Sequence, residues 1–384
     1  MTNQFFVIDL FSGCGGSAWG FKVAGFAIKA AVEIDKIASE SFSENFPETT
    51  IINDDIRRVT GKYLLKSSGI KSGDRNRLII LACPPCQGFS TARRNEQRQT
   101  DPRNILILEF VRLVKEIKPI AFVLENVPGL AKGIGQSVFQ DAINQLSDIG
   151  YRMTDPKVLE AADYGVPQKR RRLVVIGTRV KGLRLTLPEP THQRPNSTDR
   201  KLPPWKTVRD TIFKLPRISA GARNTGDSLH ITASLSELNL ERLKNTPKDG
   251  GSRMAWPEQL KLKCHKSVTG YTDVYGRMHW DSPSSTITGG CAMISKGRFG
   301  HPEQNRAISL REAAKFQTFP DSFNFTGNFG EIAKQIGNAV PSLLAQKIAE
   351  ALRQSLIEYL ERAEKPSDGK LLRTGSFNTF AYLQ

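Results

Sequence analysis

Residues 5–16 read FFVIDLFSGCGG, an apolar run that leads into a glycine-rich turn. Further short apolar runs follow, and helical patterns such as residues 104–115 lie between several of them. This alternation is typical of an α/β fold whose mostly parallel sheet is covered by helices on both faces. The apolar runs span residues 5–10, 27–32, 49–52, 78–82, 120–124 and 173–177.

Polar or reactive residues follow five of these runs at the point where each run ends. In a parallel sheet, ligands collect beyond the carboxyl ends of the strands. We therefore expect these residues to converge on one site at that edge. They are the turn at 11–16, Glu33 with Asp35, Asp54 with Asp55, the loop CPPCQGFS at 83–90, and Glu125 with Asn126.

The glycine turn and Glu33 have the spacing of a nucleoside-binding site. Glu33 follows Gly13 by 20 residues, and a carboxylate at that distance can accept hydrogen bonds from both ribose hydroxyls. The turn matches neither G-x-G-x-x-G nor G-x-x-x-x-G-K-[ST], so it does not indicate a dinucleotide or a triphosphate. S-adenosylmethionine fits better, with its ribose at Glu33 and its adenine amine at Asp55. The alternative is a tight turn beside a surface acid.

The loop at 82–90, ACPPCQGFS, allows three interpretations. A zinc site needs about four ligands, and the chain has no second C-x-x-C or C-x-x-H. A redox dithiol of Cys83 and Cys86 is typical of a short thioredoxin-like domain, which this chain does not resemble. We favour the third interpretation, in which Cys86 is a single nucleophile near a strand-to-helix turn, where backbone dipoles favour the thiolate.

Length and charge narrow the function further. A chain of 384 residues suggests one large domain and a smaller one, and it contains no apolar stretch near the ~20 residues of a membrane span. Five cysteines and no basic segment before the first apolar run favour an intracellular, reducing location.

The net charge of +17 indicates nucleic acid as a partner, with a solubilising surface as the alternative. Residues 168–214 hold 13 basic and 3 acidic residues, so they supply +10 of that charge.

The pattern of the chain changes near residue 180, where it becomes rich in proline and basic residues. We predict a large domain from residues 1–184 and 301–364, a smaller domain at 185–300, and a tail at 365–384. Ser309 and Glu312 predict a capped helix, and residues 341–362 predict a final amphipathic helix. Residues 285–290 combine strand-forming residues with a glycine turn, which predicts either a hairpin or irregular structure.

Six motifs in a fixed order carry a family resemblance. They are DLFSGCGG, PPCQGFS, ENV at 125–127, QKRRR at 168–172, REAAKFQTFPD at 311–321 and QIGNAVP at 335–341. Together they closely resemble the DNA (cytosine-5-)-methyltransferase family. The resemblance implies a Rossmann-like S-adenosylmethionine-dependent sheet with residues 185–300 as an inserted target-recognition domain. Two departures are Cys83, where glycine or another small residue is usual, and the extra acid Asp54, an alternative to Asp55.

The resemblance also implies a covalent mechanism. The thiolate of Cys86 would add to C6 of a cytosine rotated out of the duplex, so that C5 can take a methyl group. Glu125 would meet the charge that develops at N3, and we expect its pKa to be raised. Arg170 and Arg172 would donate to O2 and to nearby backbone or phosphate. No metal is expected.

The remaining site residues follow from the same resemblance. The cofactor would be surrounded by Phe11, Gly13, Gly15, Glu33, Ile34, Asp55, Ile56, Pro85, Leu106, Asn338 and Val340. The DNA would be contacted by Gln87, Ser90, Arg253, Arg277, Thr286 and Arg298.

Three other functions remain open at this point. They are a tRNA cytosine methyltransferase of the same fold, a non-enzymatic DNA-binding protein with a relic core, and a dithiol oxidoreductase, which Cys83→Ser would inactivate. We expect double-stranded DNA as the partner and a cognate restriction endonuclease as a candidate partner, with no membrane. The resemblance suggests a monomeric prokaryotic enzyme of the cytoplasm, associated with the nucleoid.

Overall fold

The computed structural model describes residues 4–85, 105–195, 197, 201–262 and 273–364. The strands within these ranges are β1 (Phe6–Leu10), β2 (Ala27–Val32), β3 (Thr50–Ile52), β4 (Leu78–Ala82), β5 (Ala121–Asn126), β6 (Arg152–Met153), β7 (Lys157–Glu160) and β8 (Arg171–Thr178). They form one sheet in the order β3–β2–β1–β4–β5–β8–β6, with β7 also paired to β8. The pairs from β3 to β5 are parallel, and all pairs with β8 are antiparallel. The predicted α/β fold is therefore confirmed.

Helices cover both faces of this sheet. They are α1 (Gly16–Val23), α2 (Lys36–Asn45), α3 (Gly61–Ser67), α4 (Leu106–Ile117), α5 (Gln136–Asp148), α6 (Val208–Ile212), α7 (Glu237–Lys244), α8 (Leu310–Phe316), α9 (Phe329–Asn338) and α10 (Ser342–Glu364). One apolar layer joins the sheet to α1, α2, α9 and α10, and the other joins it to α3, α4 and α5. Because both faces are covered, the central strands are apolar along their whole length rather than alternating.

The chain returns to its beginning through α10, which packs against α1. Gly20 makes this packing possible, because a Cβ there would lie 2.5 Å from both Ser342 O and Gln346 N. The contact also brings Val340 beside the glycine turn, since a Cβ on Gly16 would lie 2.8 Å from Val340 O. The QIGNAVP motif therefore lies beside the glycine turn that follows β1.

The predicted capping of α8 is also confirmed. Glu312 N donates to Ser309 Oγ at 3.1 Å, and Ser309 N donates to Glu312 Oε2 at 2.7 Å. The same carboxylate forms a buried ion pair with Arg306, with Nη1 and Oε2 2.7 Å apart. The pKa of Glu312 is lowered to about 2, because the attraction of Arg306 and its hydrogen bonds outweigh the effect of burial.

The middle of the chain has a small apolar core of its own. Its buried members are Leu243, Trp256, Leu260, Tyr275, Ile294 and Ala307. Other residues of this region, including Val208, Met278 and Ile287, join the large core instead. Residues 285–290 contain no strand, so the irregular alternative for that segment is the one observed. The domain limits at 185 and 300 stay a prediction.

Candidate active site and nucleic-acid interface

Five polar residues form a row across one face of the sheet at its carboxyl edge. In strand order they are Glu33 after β2, Asp9 in β1, Cys83 after β4, Glu125 in β5 and Arg172 in β8. Side chains of a strand alternate between faces, so residues two positions apart share a face. Each of the five lies two positions from a residue of the same apolar layer, namely Ala31, Val7, Leu81, Val123 and Val174.

Glu125 is a buried acid held by an arginine. The residue is 6% exposed, and its Oε1 lies 2.7 Å from Arg172 Nε. Burial raises the pKa of the Glu125 carboxyl, and the attraction of Arg172 and Arg170 opposes this rise without cancelling it. The carboxyl therefore keeps its proton at higher pH than an ordinary glutamic acid. The structure agrees with the direction of the pKa shift expected for an acid that meets N3.

Cys86, Gln87 and Ser90 lie outside the described residues, so the predictions made for them stay predictions. The described chain stops at Pro85, one residue before Cys86. Asn126 Nδ2 donates to Pro84 O at 3.0 Å, and Cys83 N donates to Leu10 O at 3.4 Å. These two bonds fix the start of the cysteine loop against the neighbouring strands β5 and β1.

Arg170 occupies a different place from Arg172. Its Nη1 donates to Ile287 O at 2.7 Å and its Nη2 to Ala339 O at 2.9 Å, and the residue is 3% exposed. Of the uses predicted for Arg170, contact with backbone is observed here, and contact with cytosine O2 stays a prediction. Arg170 therefore connects its own segment with the backbone at Ile287 and at Ala339, whereas Arg172 pairs with Glu125.

The glycine turn and Glu33 form a single unit. Gly13 N donates to Glu33 Oε2, and Asp35 N donates to Glu33 Oε1, each at 2.8 Å. Burial raises the pKa of Glu33, although the two backbone donors lower it in part. Gly13 has φ +56° and no atom within 4 Å of the position where a Cβ would lie, which leaves open space above the turn.

Gly15 and Phe11 shape the same turn. Gly15 has φ +102°, and a Cβ there would lie 2.6 Å from the Phe46 ring. Phe11 also adopts a left-handed conformation, with φ +62°. Two positive φ angles at glycines and one at Phe11 turn the chain sharply between β1 and α1.

Among the residues predicted to surround the cofactor, Asp55 and Ile34 are accessible and Ile56 is buried. Asp55 binds the guanidinium of Arg57, whose Nε donates to its Oδ1 at 3.0 Å, and this pair lowers the pKa of Asp55 to about 2. Ile34 is 67% exposed, as an apolar wall for a ring would be. Ile56 is only 5% exposed, and its side chain packs in the apolar core rather than on the accessible surface. Asp54 accepts a bond from Asp55 N, which makes it part of the turn.

The other predicted cofactor residues come from three directions. Pro85 is the last described residue of the loop that follows β4, and Leu106 is the first residue of α4. Asn338 is exposed and Val340 is buried beside the glycine turn. Lys334 of α9 also reaches the site, with its Nζ 2.7 Å from Asp35 Oδ2.

The residues present fit S-adenosylmethionine by their chemistry. Acidic acceptors, an exposed apolar side chain and an open turn suit its hydroxyls, its adenine ring and its positive charge. Asp9 adds a buried acid whose two carboxyl oxygens have no hydrogen-bond partner among the described residues. No group of three or more potential metal ligands occurs in the described ranges.

The predicted recognition arginines are engaged largely within the protein, and their contacts with DNA stay predictions. Arg277 is 1% exposed and donates to backbone, with Nη2 2.7 Å from Leu243 O and Nη1 2.9 Å from His301 O. Arg253 is 5% exposed, and Arg298 binds Asp273 and Gly250 O. Arg277 and Arg298 thus bind backbone carbonyls and an aspartate of neighbouring loops. A buried arginine satisfied by carbonyls is invisible in a sequence, because its acceptors come from distant segments.

Thr286 lies on a surface that is accessible to a ligand. Thr286 is exposed, and its Oγ1 donates to Lys169 O at 2.7 Å, which fixes the backbone beside QKRRR. A cavity of about 1030 Å³ opens next to Lys169. Arg194 lies over the Trp205 ring in its wall, 5.3 Å from the ring centre. Sequence reasoning missed Arg194 and Trp205, although both lie in the basic segment that it identified.

None of the helices in the described part of the chain combines the length and apolar character that a bilayer crossing requires.

Comparison with known proteins identifies the family. The model of the C-5 cytosine-specific DNA methylases matches residues 5–354. The Type II methylase M.HgiDII of Herpetosiphon aurantiacus is 37% identical over 362 residues, covering 93% of this chain and 97% of its own. The Type II methyltransferase M1.HphI of Haemophilus parahaemolyticus is 38% identical over 346 residues, covering 90% and 86%.

Solved structures agree with this assignment. A structure described as a DNA modification methyltransferase encoded within an Escherichia coli prophage has a TM-score of 0.69 and 27% identity, covering 92% of this chain and 99% of its own. A Spodoptera frugiperda Dnmt2 structure shares the fold, with a TM-score of 0.59 and 18% identity over 92% of this chain and 99% of its own. The chain therefore belongs to the family of C-5 cytosine-specific DNA methylases and is a DNA (cytosine-5-)-methyltransferase.

Proposed function

We propose that this enzyme transfers a methyl group from S-adenosylmethionine to C5 of a cytosine in a specific duplex sequence, through a covalent bond between Cys86 and C6. The observation that carries the proposal is the buried acid Glu125, paired with Arg172 and adjacent to the strand that leads into Cys86. A buried acid with a raised pKa beside a cysteine loop is the arrangement that an activated pyrimidine requires.

The cofactor would lie at the carboxyl edge of β1, β2 and β3. Glu33 would accept from the ribose hydroxyls, Asp55 from the adenine amine, and Ile34 would pack on the ring. When bound, S-adenosylmethionine supplies an electrophilic methyl group on a sulfonium. The open turn at Gly13 leaves room for the rest of the molecule.

The protein activates the cytosine in one covalent step. The thiolate of Cys86 adds to C6, and the displaced electron pair of the ring moves toward N3, where the proton of Glu125 meets it. C5 becomes an enamine carbon and can attack an electrophile. After methylation, the C5 proton leaves to a base, the C6–S bond breaks and the thiolate departs, so that the ring regains its C5–C6 double bond. N3 returns its proton to the Glu125 carboxylate, which restores the acid for the next cycle.

Arg172 keeps Glu125 in position and neutralises it whenever it loses its proton. Because the protonated carboxyl is the active form, we expect the rate to fall as pH rises through the pKa of Glu125. A raised pKa extends the active range toward neutral pH.

The target base must leave the stack before Cys86 can reach it, which costs a few kcal/mol. The basic segment 168–214 would compensate by binding the phosphates on either side. The relatives M.HgiDII and M1.HphI are named Type II enzymes, and we propose by this likeness that the methylation protects DNA from a cognate restriction endonuclease.

The test is transfer of tritium from methyl-labelled S-adenosylmethionine to duplex DNA. Wild-type enzyme should label the DNA, Cys86→Ala should abolish labelling, and Glu125→Gln should lower the rate by about 10²- to 10⁴-fold because an amide cannot protonate N3. Glu48→Gln, which changes an exposed glutamate, serves as the control. Bisulfite sequencing of DNA from expressing cells should give the methylated sequence.

A second arm tests the covalent bond. Fluorine at C5 of the target cytosine cannot leave as a proton, so the adduct with Cys86 should persist and migrate with the DNA under denaturing conditions. Labelling of tRNA but not of DNA would overturn the proposed substrate. Full activity of Cys86→Ala would overturn the mechanism.

A further inference from the structure

The turn that follows β3 carries two residues of the predicted cofactor site, Asp55 and Ile56. β3 lies at one end of the strand order of the described sheet, so this turn has a neighbouring strand on one side only. On the side of β2, Asn53 Nδ2 donates to Glu33 O at 2.8 Å and fixes the start of the turn. The other side of the turn has to be anchored by an element outside the sheet.

Arg112 of α4 supplies that anchor. Its Nη2 donates to two backbone carbonyls of the turn, Ile56 O at 3.0 Å and Val59 O at 2.9 Å. Ile56 directly follows Asp55, so the guanidinium fixes the backbone next to the carboxylate that would accept from the adenine amine. The Arg112 side chain is 32% exposed, and these bonds therefore lie partly out of water, where they are stronger.

Two glutamates hold the guanidinium in this orientation. Arg112 Nε donates to Glu109 Oε2, and its Nη1 donates to Glu116 Oε1, each at 2.8 Å. The two acids lie three residues before and four residues after Arg112, spacings that place side chains on one face of a helix. The second oxygen of Glu116 accepts from Gly61 N at 2.6 Å. One network therefore joins α4 to the turn and to the start of α3.

We propose that Arg112 is a positioning residue for the adenine end of S-adenosylmethionine, which sets the place of Asp55 by holding the backbone at Ile56 and Val59. This inference rests on the proposed function, in which Asp55 accepts from the adenine amine. Arg112 acts through the turn, because its Nε, Nη1 and Nη2 are all engaged by acceptors of the protein. A turn that is ordered before the cofactor arrives lowers the entropy cost of binding.

Loss of the guanidinium should weaken cofactor binding by about 10-fold, because the turn then has to be ordered during binding. The KM for the cofactor should rise by a similar factor. The kcat should change by less than about 2-fold, since a contact that is equal in the ground state and the transition state affects binding alone. The affinity for duplex DNA should stay at the wild-type value.

The experiment titrates S-adenosylmethionine into Arg112→Ala and Arg112→Lys by calorimetry without DNA, and then measures KM and kcat by tritium transfer to duplex DNA. The lysine variant should lie between the wild type and the alanine variant, because one ammonium cannot serve two carboxylates and two carbonyls at once.

Arg179→Ala is the matched control. Arg179 is also half-buried, and its Nε also donates to two loop carbonyls, Lys118 O and Pro119 O, each at 3.1 Å. These carbonyls precede β5 and so lie at the opposite edge of the sheet from the predicted cofactor site. The control variant should bind the cofactor as tightly as the wild type.

A double-mutant cycle with Asp55→Ala separates this role from a general loss of stability. If Arg112 acts through Asp55, its replacement by alanine should weaken binding by at most about 2- to 3-fold in the Asp55→Ala background, well below the 10-fold expected in the wild type. If Arg112→Ala fails to fold, Arg112→Lys takes its place in the cycle, with a smaller loss in the same direction.

Three results would overturn the positioning role. They are wild-type affinity in Arg112→Ala, an equal loss in Arg179→Ala, and a loss on replacing Arg112 that is the same with and without Asp55. A wild-type protein that binds the cofactor but does not methylate DNA would reject the proposed function alone, and the titrations would still decide this inference. A wild-type protein that binds no cofactor would overturn both.

Discussion

Asp9 is a carboxyl group inside an otherwise apolar strand. The residue is 0% exposed, and neither of its carboxyl oxygens has a hydrogen-bond partner in the described ranges. Burial raises the pKa of Asp9 well above its usual value, and the neighbouring Glu33 raises it further. The folded protein therefore holds a proton on Asp9 at a pH where the unfolded chain has already lost it.

This difference predicts a pH-dependent stability. When the folded pKa is the higher one, the stabilising contribution is complete below the unfolded pKa and is lost as pH rises toward the folded value. Between pH 5 and pH 8 the wild-type protein should therefore lose stability through this group, because the unfolded chain has released the Asp9 proton that the folded protein still holds. Asp9→Asn cannot ionise and should remove that part of the loss.

The measurement is the free energy of unfolding in urea at pH 5 and pH 8. Glu48→Gln is the control, because Glu48 is exposed, and its pH dependence should equal that of the wild type. The same pH dependence in Asp9→Asn as in the wild type would show that Asp9 is charged in the folded state.

At the scale of elements, the packing of α1 on α10 depends on a glycine. A Cβ at position 20 would lie 2.5 Å from Ser342 O and 2.7 Å from the Ala345 side chain, and backbone atoms cannot rotate away. Gly20→Ala should therefore separate the two helices and destabilise the fold by about 1–3 kcal/mol. The urea midpoint of unfolding measures this change.

Gly330→Ala is the matched control within another helix. The nearest atom to a Cβ at that position is Asn328 Oδ1 at 3.5 Å, an ordinary contact. This variant should be neutral or more stable by up to about 1 kcal/mol, because alanine has the higher helix propensity. Equal destabilisation by both changes would mean that the close approach of α1 and α10 is not what Gly20 supports.

The elements differ in how far the sequence could predict them. The apolar runs gave β1 to β5 and β8, because strands buried on both faces leave an unbroken signal. β6 and β7 were missed, since they have two and four residues and partly exposed side chains. Of the row from Glu33 to Arg172, only Glu33, Cys83 and Glu125 were predicted to converge as residues that follow strands. Asp9 was missed, and Arg172 was expected from the family resemblance alone. The ion pair of Glu125 with Arg172 was not predicted, because it depends on which strands are neighbours.

Arginines were the least predictable residues of the site. Successive side chains of the QKRRR segment point in opposite directions, so Arg170 points into the protein while Lys169 is exposed. Arg277 is satisfied by carbonyls from loops that are distant in the sequence, such as His301 O. A sequence gives the charge of an arginine but not the acceptors that surround it, and those acceptors decide between a structural and a DNA-binding role.

At the scale of the whole molecule, the net charge of +17 is concentrated in residues 168–214. Lys169 and Lys206 of that segment are exposed, and Lys169 and Arg194 both line the cavity described above. A protein that neutralises phosphates releases counterions, so its affinity falls with salt in proportion to the number of contacts. We therefore expect both lysines to contribute to the salt dependence of DNA binding.

The test measures duplex affinity by fluorescence anisotropy at several salt concentrations. Lys169→Ala combined with Lys206→Ala should reduce the slope of log affinity against log salt by about two, one for each phosphate contact removed. The loss should be the same on the methylated target sequence and on a random duplex, because phosphate contacts carry no sequence information. Lys62→Ala is the control, since Lys62 is exposed on α3, on the opposite face of the sheet from α1 and α10. Lys62→Ala could instead lower the slope by as much as each lysine of the double variant does. Binding would then depend on the general charge of the protein and not on a defined surface, which would contradict the role proposed for the basic segment.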